Sequence, residues 1–145
     1  MKIKAEIDGS TKEFGNITNF NGSVLDGEAK TIVAEQVLSS FHLNDVLSLL
    51  ELLITKCHKG GIVSILEYDM YRLSKAIVEN PENMDDVNNH FDAARPYSKY
   101  CCFLTLPYLE LLVNRLKLKD IRIIGREITS SGKFILTLRR DTKYV

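Results

Sequence analysis

Residues Thr31–Tyr68 read TIVAEQVLSSFHLNDVLSLLELLITKCHKGGIVSILEY, and the interpretation of this stretch decides the fold. Thr31 to Leu38 is short, apolar and rich in β-branched residues, the character of an interior strand. From Val46 onward the apolar positions Leu49, Leu50, Leu53, Ile54 and Cys57 recur at three- and four-residue steps, so they share one helical face. Asn44 stands where an N-cap is needed, its side chain able to accept from an unpaired first-turn amide. Gly60-Gly61 supplies the left-handed residue that ends a helix, and Ile62 to Leu66 is again a continuous apolar run. Strand, crossover helix and strand in this order form a right-handed βαβ unit, which predicts two parallel strands covered on both faces.

Working outward, Lys2 to Ile7 alternates charged and apolar residues, with Ile3, Ala5 and Ile7 on one side of a short strand. Asp8-Gly9-Ser10 turns the chain. The stretch from there to Gly27 has few apolar anchors and predicts one short extended piece at Gly15 to Phe20 but no sizeable helix. On the other side, Asp69 is placed to cap a helix reaching Glu79, with Met70, Leu73 and Ile77 inward. Pro81 to Tyr100, polar and acidic at first and then mixed, is either a long loop or a loop with one short helix, of the kind that serves as a binding element or lid. Thr105 caps a further helix whose stripe is Leu109, Leu112, Val113 and Leu116. Ile121 to Ile128 and Phe134 to Leu138, joined by Ser130-Ser131-Gly132, read as an antiparallel hairpin.

At 145 residues the chain is expected to form one domain with a real core. Its parts are a shortened N-terminal section (1–30), the βαβ core with its following helix (31–79), a loop or lid (80–104) and a helix with the terminal hairpin (105–145). Nineteen basic residues balance nineteen acidic ones. Zero net charge gives no general attraction to nucleic acid or membrane surfaces and little protection against self-association. No stretch reaches the roughly 18 apolar residues of a membrane span, and the N-terminus lacks the apolar core of a secretory signal. The three cysteines are odd in number, two of them adjacent at Cys101-Cys102, which reads as reduced thiols in an intracellular, cytoplasmic protein. A compact chain of this kind suits a phage, with a virion location in that case, or a surface-polysaccharide cluster.

Parallel strands, a helix and a closing antiparallel hairpin resemble the second half of class I methyltransferases dependent on S-adenosylmethionine (SAM), over about Thr31 to Leu138. Val37-Leu38, the helix, and Cys57-His58-Lys59-Gly60-Gly61-Ile62-Val63 resemble that family's "VLEH … LKPGG-plus-strand" pattern. Ser39-Ser40 stands where the family often has Glu-His, and Lys59 where it has Pro before the paired glycines. The resemblance implies an α/β, reduced Rossmann-like fold with a mostly parallel sheet ending in an antiparallel hairpin. It also implies a glycine-rich loop after the first strand and an acidic residue ending the second, to hold the cofactor's polar groups. Here Asp8-Gly9-Ser10 follows Ile7, and only 23 residues separate Ile7 from Thr31, too few for a helix, a strand, another helix and a third strand. The first helix and second strand are therefore expected to be missing.

Two readings follow. In the first, the protein is a truncated, degenerate methyltransferase-like protein without a cofactor, a homo-oligomer or a subunit of a larger assembly that docks through Met1 to Leu25. In the second it is an active minimal methyltransferase. SAM would then be held by Asp8, Gly9 and Glu35, completed by a neighbouring subunit, with residues 81–100 as a substrate lid. The plainer reading of Asp8-Gly9 is a turn, and of Glu35 a pair with a lysine. His42, His58 and His90 lack metal-ligand spacing, and no metal is expected there. His90 with Asp92 and the Cys101-Cys102 pair forms a remote candidate. Arg122, Arg126, Lys133, Arg139 and Arg140 crowd the hairpin; a solvated strand face is the simpler reading, with nucleic acid as the other.

Overall fold

The computed structural model describes residues 1–82, 84, 85, 88 and 102–142. Six strands form a single mixed sheet: β1 (Lys2–Ile7), β2 (Ser10–Phe14), β3 (Ala29–Glu35), β4 (Cys57–Tyr68), β5 (Ile121–Ile128) and β6 (Lys133–Arg140). The strand order is β2-β1-β3-β4-β6-β5. The described helices are α1 (Ile17–Ser23), α2 (Leu43–Lys56), α3 (Met70–Glu79) and α4 (Leu106–Asn114), with a 3-10 turn at Leu38–Ser40.

Only β3 and β4 run parallel; the other four pairings are antiparallel. The sheet is therefore mostly antiparallel, not mostly parallel as the sequence led us to expect. The cause lies in the turn at Asp8-Gly9, where both residues have positive φ (53° and 79°) and Ile7 pairs directly with Ser10. Two left-handed residues make the tight turn that matches the twist of a hairpin. The chain thus folds back at once as β2, and β1 enters the sheet antiparallel to β3. Ser-Thr-Lys-Glu-Phe carries no apolar alternation, so β2 was not foreseen. Neither was α1, which Asn16 caps by accepting from the Asn19 amide at 2.8 Å.

The crossover from β3 through α2 to the parallel β4 is as expected, with shifted boundaries. Strand β3 stops at Glu35 because Gln36 is left-handed (φ 54°). His42, not Asn44, caps α2: its Nδ1 accepts from the Asn44 amide at 3.3 Å. The helix ends at Lys56, four residues before the paired glycines, which lie inside β4. Arg140 accounts for that end. Its guanidinium donates to the carbonyls of Ile54, Thr55 and Cys57 at 3.2, 3.2 and 2.9 Å, satisfying groups that the last helical turn leaves unpaired.

One face of the sheet carries the core. Ile3, Ala5, Ile32, Ala34, Val63, Ile65, Leu136 and Leu138 are buried there against Leu50, Leu53 and Ile54 of α2 and Leu109, Leu112 and Val113 of α4. Helix α1 joins this layer through Phe20 and through Lys56, which donates to the Asn21 carbonyl at 3.2 Å. Asp69 caps α3 as expected, donated to by the Tyr71 amide, yet Met70, Leu73 and Ile77 are only half-buried. Thr105 caps α4, and Leu109, Leu112, Val113 and Leu116 are buried. The expected β5–β6 hairpin is present. The expected lid falls largely on residues outside those described. No described helix is long and apolar enough to cross a membrane.

Candidate functional site

Open α/β sheets place ligands at the carboxyl ends of parallel strands, so the ends of β3 and β4 are the first place to look. Beyond Glu35 the ladder continues for one bond, the Gln36 amide donating to the Leu66 carbonyl at 2.9 Å. The chain then winds through the 3-10 turn, held by the Ser40 hydroxyl donating to the Gln36 carbonyl at 2.6 Å. Beneath that turn lies Glu67, 1 % exposed, projecting from β4 onto the helical face of the sheet. Its Oε1 accepts from the amides of Leu38 (2.9 Å) and Ser39 (3.2 Å), and its Oε2 accepts from the Ser39 hydroxyl at 2.7 Å. Cys102 closes the other side: its amide donates to the Ser39 carbonyl at 3.3 Å and its thiol lies 3.5 Å from the Leu38 carbonyl.

Burial pushes the Glu67 carboxyl up to about 7, in spite of the three bonds from Ser39 and Leu38 that favour its charged form. Sequence reasoning missed this residue. It occupies an inward position of an apolar run, and the available sign was that a strand facing a core should not carry a carboxylate without partners.

Glu35 is bonded to Lys133 at 2.5 Å, and that ammonium also stands 5.0 Å above the Tyr68 ring. Chiefly through the Lys133 bond, its carboxyl is held below the usual range. Lys2 is the β1 residue beside Glu35, whereas Asp8 follows the far end of β1. Six residues of extended chain put the Asp8-Gly9 turn roughly 20 Å from Glu35. The expected trio is therefore not brought together: Asp8 and Gly9 form a hairpin turn at one end of the sheet, and Glu35 an ion pair at the other.

The remaining candidates are dispersed. The described residues contain no cluster of three metal-ligating side chains, while His90, Asp92 and Cys101 lie outside them. Cys57 is buried, its thiol pushed up to about 11 by burial. The basic residues of the hairpin each meet acid: Arg122 and Arg139 meet Asp141, Arg126 meets Glu110, Lys133 meets Glu35 and Arg140 meets Asp120. A shallow groove of about 390 Å³ between α4 and β5 sits at the sheet end opposite Glu67, lined by Val113, Leu116, Ile121, Ile123 and Arg122 without an acid.

Among solved structures, the chain superposes on that of TnmH with a TM-score of 0.55 and 16 % identity, over 83 % of this chain and 33 % of that one. It superposes on a SAM-dependent methyltransferase from Archaeoglobus fulgidus with a TM-score of 0.50 and 10 % identity, over 83 % of this chain and 63 % of that one. The fold is methyltransferase-like. The chain spans about a third and somewhat under two thirds of the lengths of these two proteins. No protein-family profile matches the sequence, and no curated protein matches it.

Proposed function

We propose that this methyltransferase-like protein is a non-catalytic interaction or structural subunit, a reduced version of the scaffold that works without SAM. One observation supports the reading above the others: the carboxyl ends of β3 and β4 are filled by the chain's own groups. The Leu38 and Ser39 amides and the Ser39 hydroxyl, donors of the type that hold a ligand's polar atoms, are all directed at Glu67. The antiparallel entry of β1 supports it further, since it carries Asp8-Gly9 away from that end of the sheet. In this reading the protein functions in association, as a homo-oligomer or within a larger assembly, and binds neither membrane nor nucleic acid.

Isothermal titration with SAM and S-adenosylhomocysteine tests the proposal. We expect no binding tighter than about 1 mM, near −4 kcal/mol. Saturable micromolar binding would overturn it and favour an active minimal methyltransferase.

A further inference from the structure

We infer that the groove between α4 and β5 is the docking site for an extended acidic peptide segment of a partner protein, added to the sheet beside β5 with its apolar side chains in the groove. The inference rests on the interaction-subunit reading and gives it a surface and a partner chemistry. Strand β5 is the last of the sheet, and among the described residues it pairs with β6 alone. Such an edge is a template for one more strand, whose backbone supplies the bonds while pockets select its side chains. Register puts Ile123 opposite the buried Leu138, and Ile121 lies two residues earlier, so both sit on the face that α4 covers. Across from them stand Val113 of α4 and Leu116 just after it, and these four side chains border the groove of about 390 Å³. A strand laid ~4.8 Å beyond β5 carries every second side chain on that same face, where the groove receives it.

The rim of the groove sets the sign of the partner. Arg115 to Lys119 read RLKLK, with Leu116 and Leu118 turned inward and Arg115, Lys117 and Lys119 exposed. Among the described residues none of these three cations meets an acid. Lys119 and Arg122 line the groove, and no acid does. The acids that flank it in the sequence and the fold are already engaged: Asp120 is buried against Arg140 at 3.0 Å, and Asp141 meets Arg122 at 3.2 Å. In a chain of zero net charge, these unbalanced cations beside apolar walls complement a segment that alternates acidic and apolar residues. Single-stranded nucleic acid would match the charge but needs aromatic platforms for its bases, and no aromatic side chain lines the groove. The break in register between Ile123 and Gly125 blunts indiscriminate pairing with other strand edges, which leaves selection to the side chains.

Panning the full chain against displayed random peptides of eight residues, the length of β5, tests the inference, with enriched sequences then titrated by fluorescence anisotropy. We expect enrichment of peptides that alternate acidic and bulky apolar residues, with dissociation constants of about 1 to about 100 µM. The triple reversal R115E/K117E/K119E should weaken them at least about tenfold. All three side chains are exposed, and unchanged far-ultraviolet circular dichroism shows that the variant folds. Methylating alternate backbone nitrogens of the peptide should abolish binding in one phase and spare it in the other, because only one set of its amides faces β5. Failure to enrich any peptide overturns the inference, as does binding that ignores both the charge reversals and the methylation phase. An oligothymidylate that binds the chain but not the triple variant also overturns it and assigns the rim to nucleic acid. A dimer of this chain that the triple variant dissolves overturns it in favour of a second copy. The cofactor titration is read separately: absent peptide binding without SAM binding refutes the groove alone, and SAM binding beside intact peptide binding refutes the non-catalytic reading alone.

Discussion

Replacing Glu67 by Gln separates the two things this side chain does. The amide oxygen can still accept from the Leu38 and Ser39 amides, and its NH2 can donate to the Ser39 hydroxyl, so the 3-10 turn keeps its anchor. What disappears is the ionisation. In the unfolded chain the carboxyl loses its proton near 4.5, and in the folded protein at about 7, because burial outweighs the bonds to its charged form. Between those values the folded state binds more protons than the unfolded one, so stability falls as pH rises through this window. The contribution is intact below about 4.5 and lost above about 7. At about 1.4 kcal/mol per pH unit, the interval amounts to about 3 kcal/mol. The assay is urea denaturation followed by circular dichroism at a fixed protein concentration, from about pH 5 to about pH 8, for wild type and E67Q side by side. The stability difference between the two should shift in favour of E67Q by about 2 to 3 kcal/mol across that range, the part of the interval below pH 5 lying outside it; the histidines are common to both and cancel. Parallel curves would refute the reasoning, since they would mean that Glu67 titrates in its ordinary range and is neither desolvated nor enclosed.

Three further outcomes are expected. Gly61→Ala should cost about 3 kcal/mol in the same assay, because a Cβ there would stand 2.5 Å from the Lys30 carbonyl oxygen, 2.6 Å from the Cys57 sulfur and 2.8 Å from the His58 carbonyl oxygen. Arg140→Ala should cost about 3 to 5 kcal/mol, since it leaves Asp120 buried without its cation and the end of α2 without its cap. Arg140→Lys should recover only part of that, because one ammonium cannot span the same four acceptors. Lys133→Ala should move the Glu35 carboxyl upward toward its ordinary range in a carboxyl-detected NMR titration. Its effect on stability should stay below about 1 kcal/mol, the pair being partly solvated.

Much of the fold was legible in local patterns. The apolar stripe of α2, the Asp69 and Thr105 caps, the four buried positions of and after α4, and the alternation in β6 each depend on residues close in sequence. Strand direction was not legible. Lys2 to Ile7 has the same inward face whether it runs parallel or antiparallel to β3, and the deciding turn at Asp8-Gly9 matters through the backbone signs it permits. Gly60-Gly61 resembled a helix end, but a remote arginine reaching three carbonyls had already ended α2.

The candidate site divides in the same way. That Asp8-Gly9 turns the chain, that Glu35 pairs with a lysine and that Cys57 joins the core could be argued from residue type and neighbours. The separation of Asp8 from Glu35 followed from the direction of β1, and the Glu67 network from β4 meeting a turn some 29 residues earlier in the chain. By itself the sequence determined the longer segments, β1, α2, β4, α4 and the closing hairpin, and which sides of them avoid water, because those properties repeat within a few residues; β2 and α1, which lack such a repeat, it did not. Only the tertiary structure decided which way the strands run, on which sheet face α1, α2 and α4 pack and which buried acid binds which amides, because those depend on groups brought together across the fold.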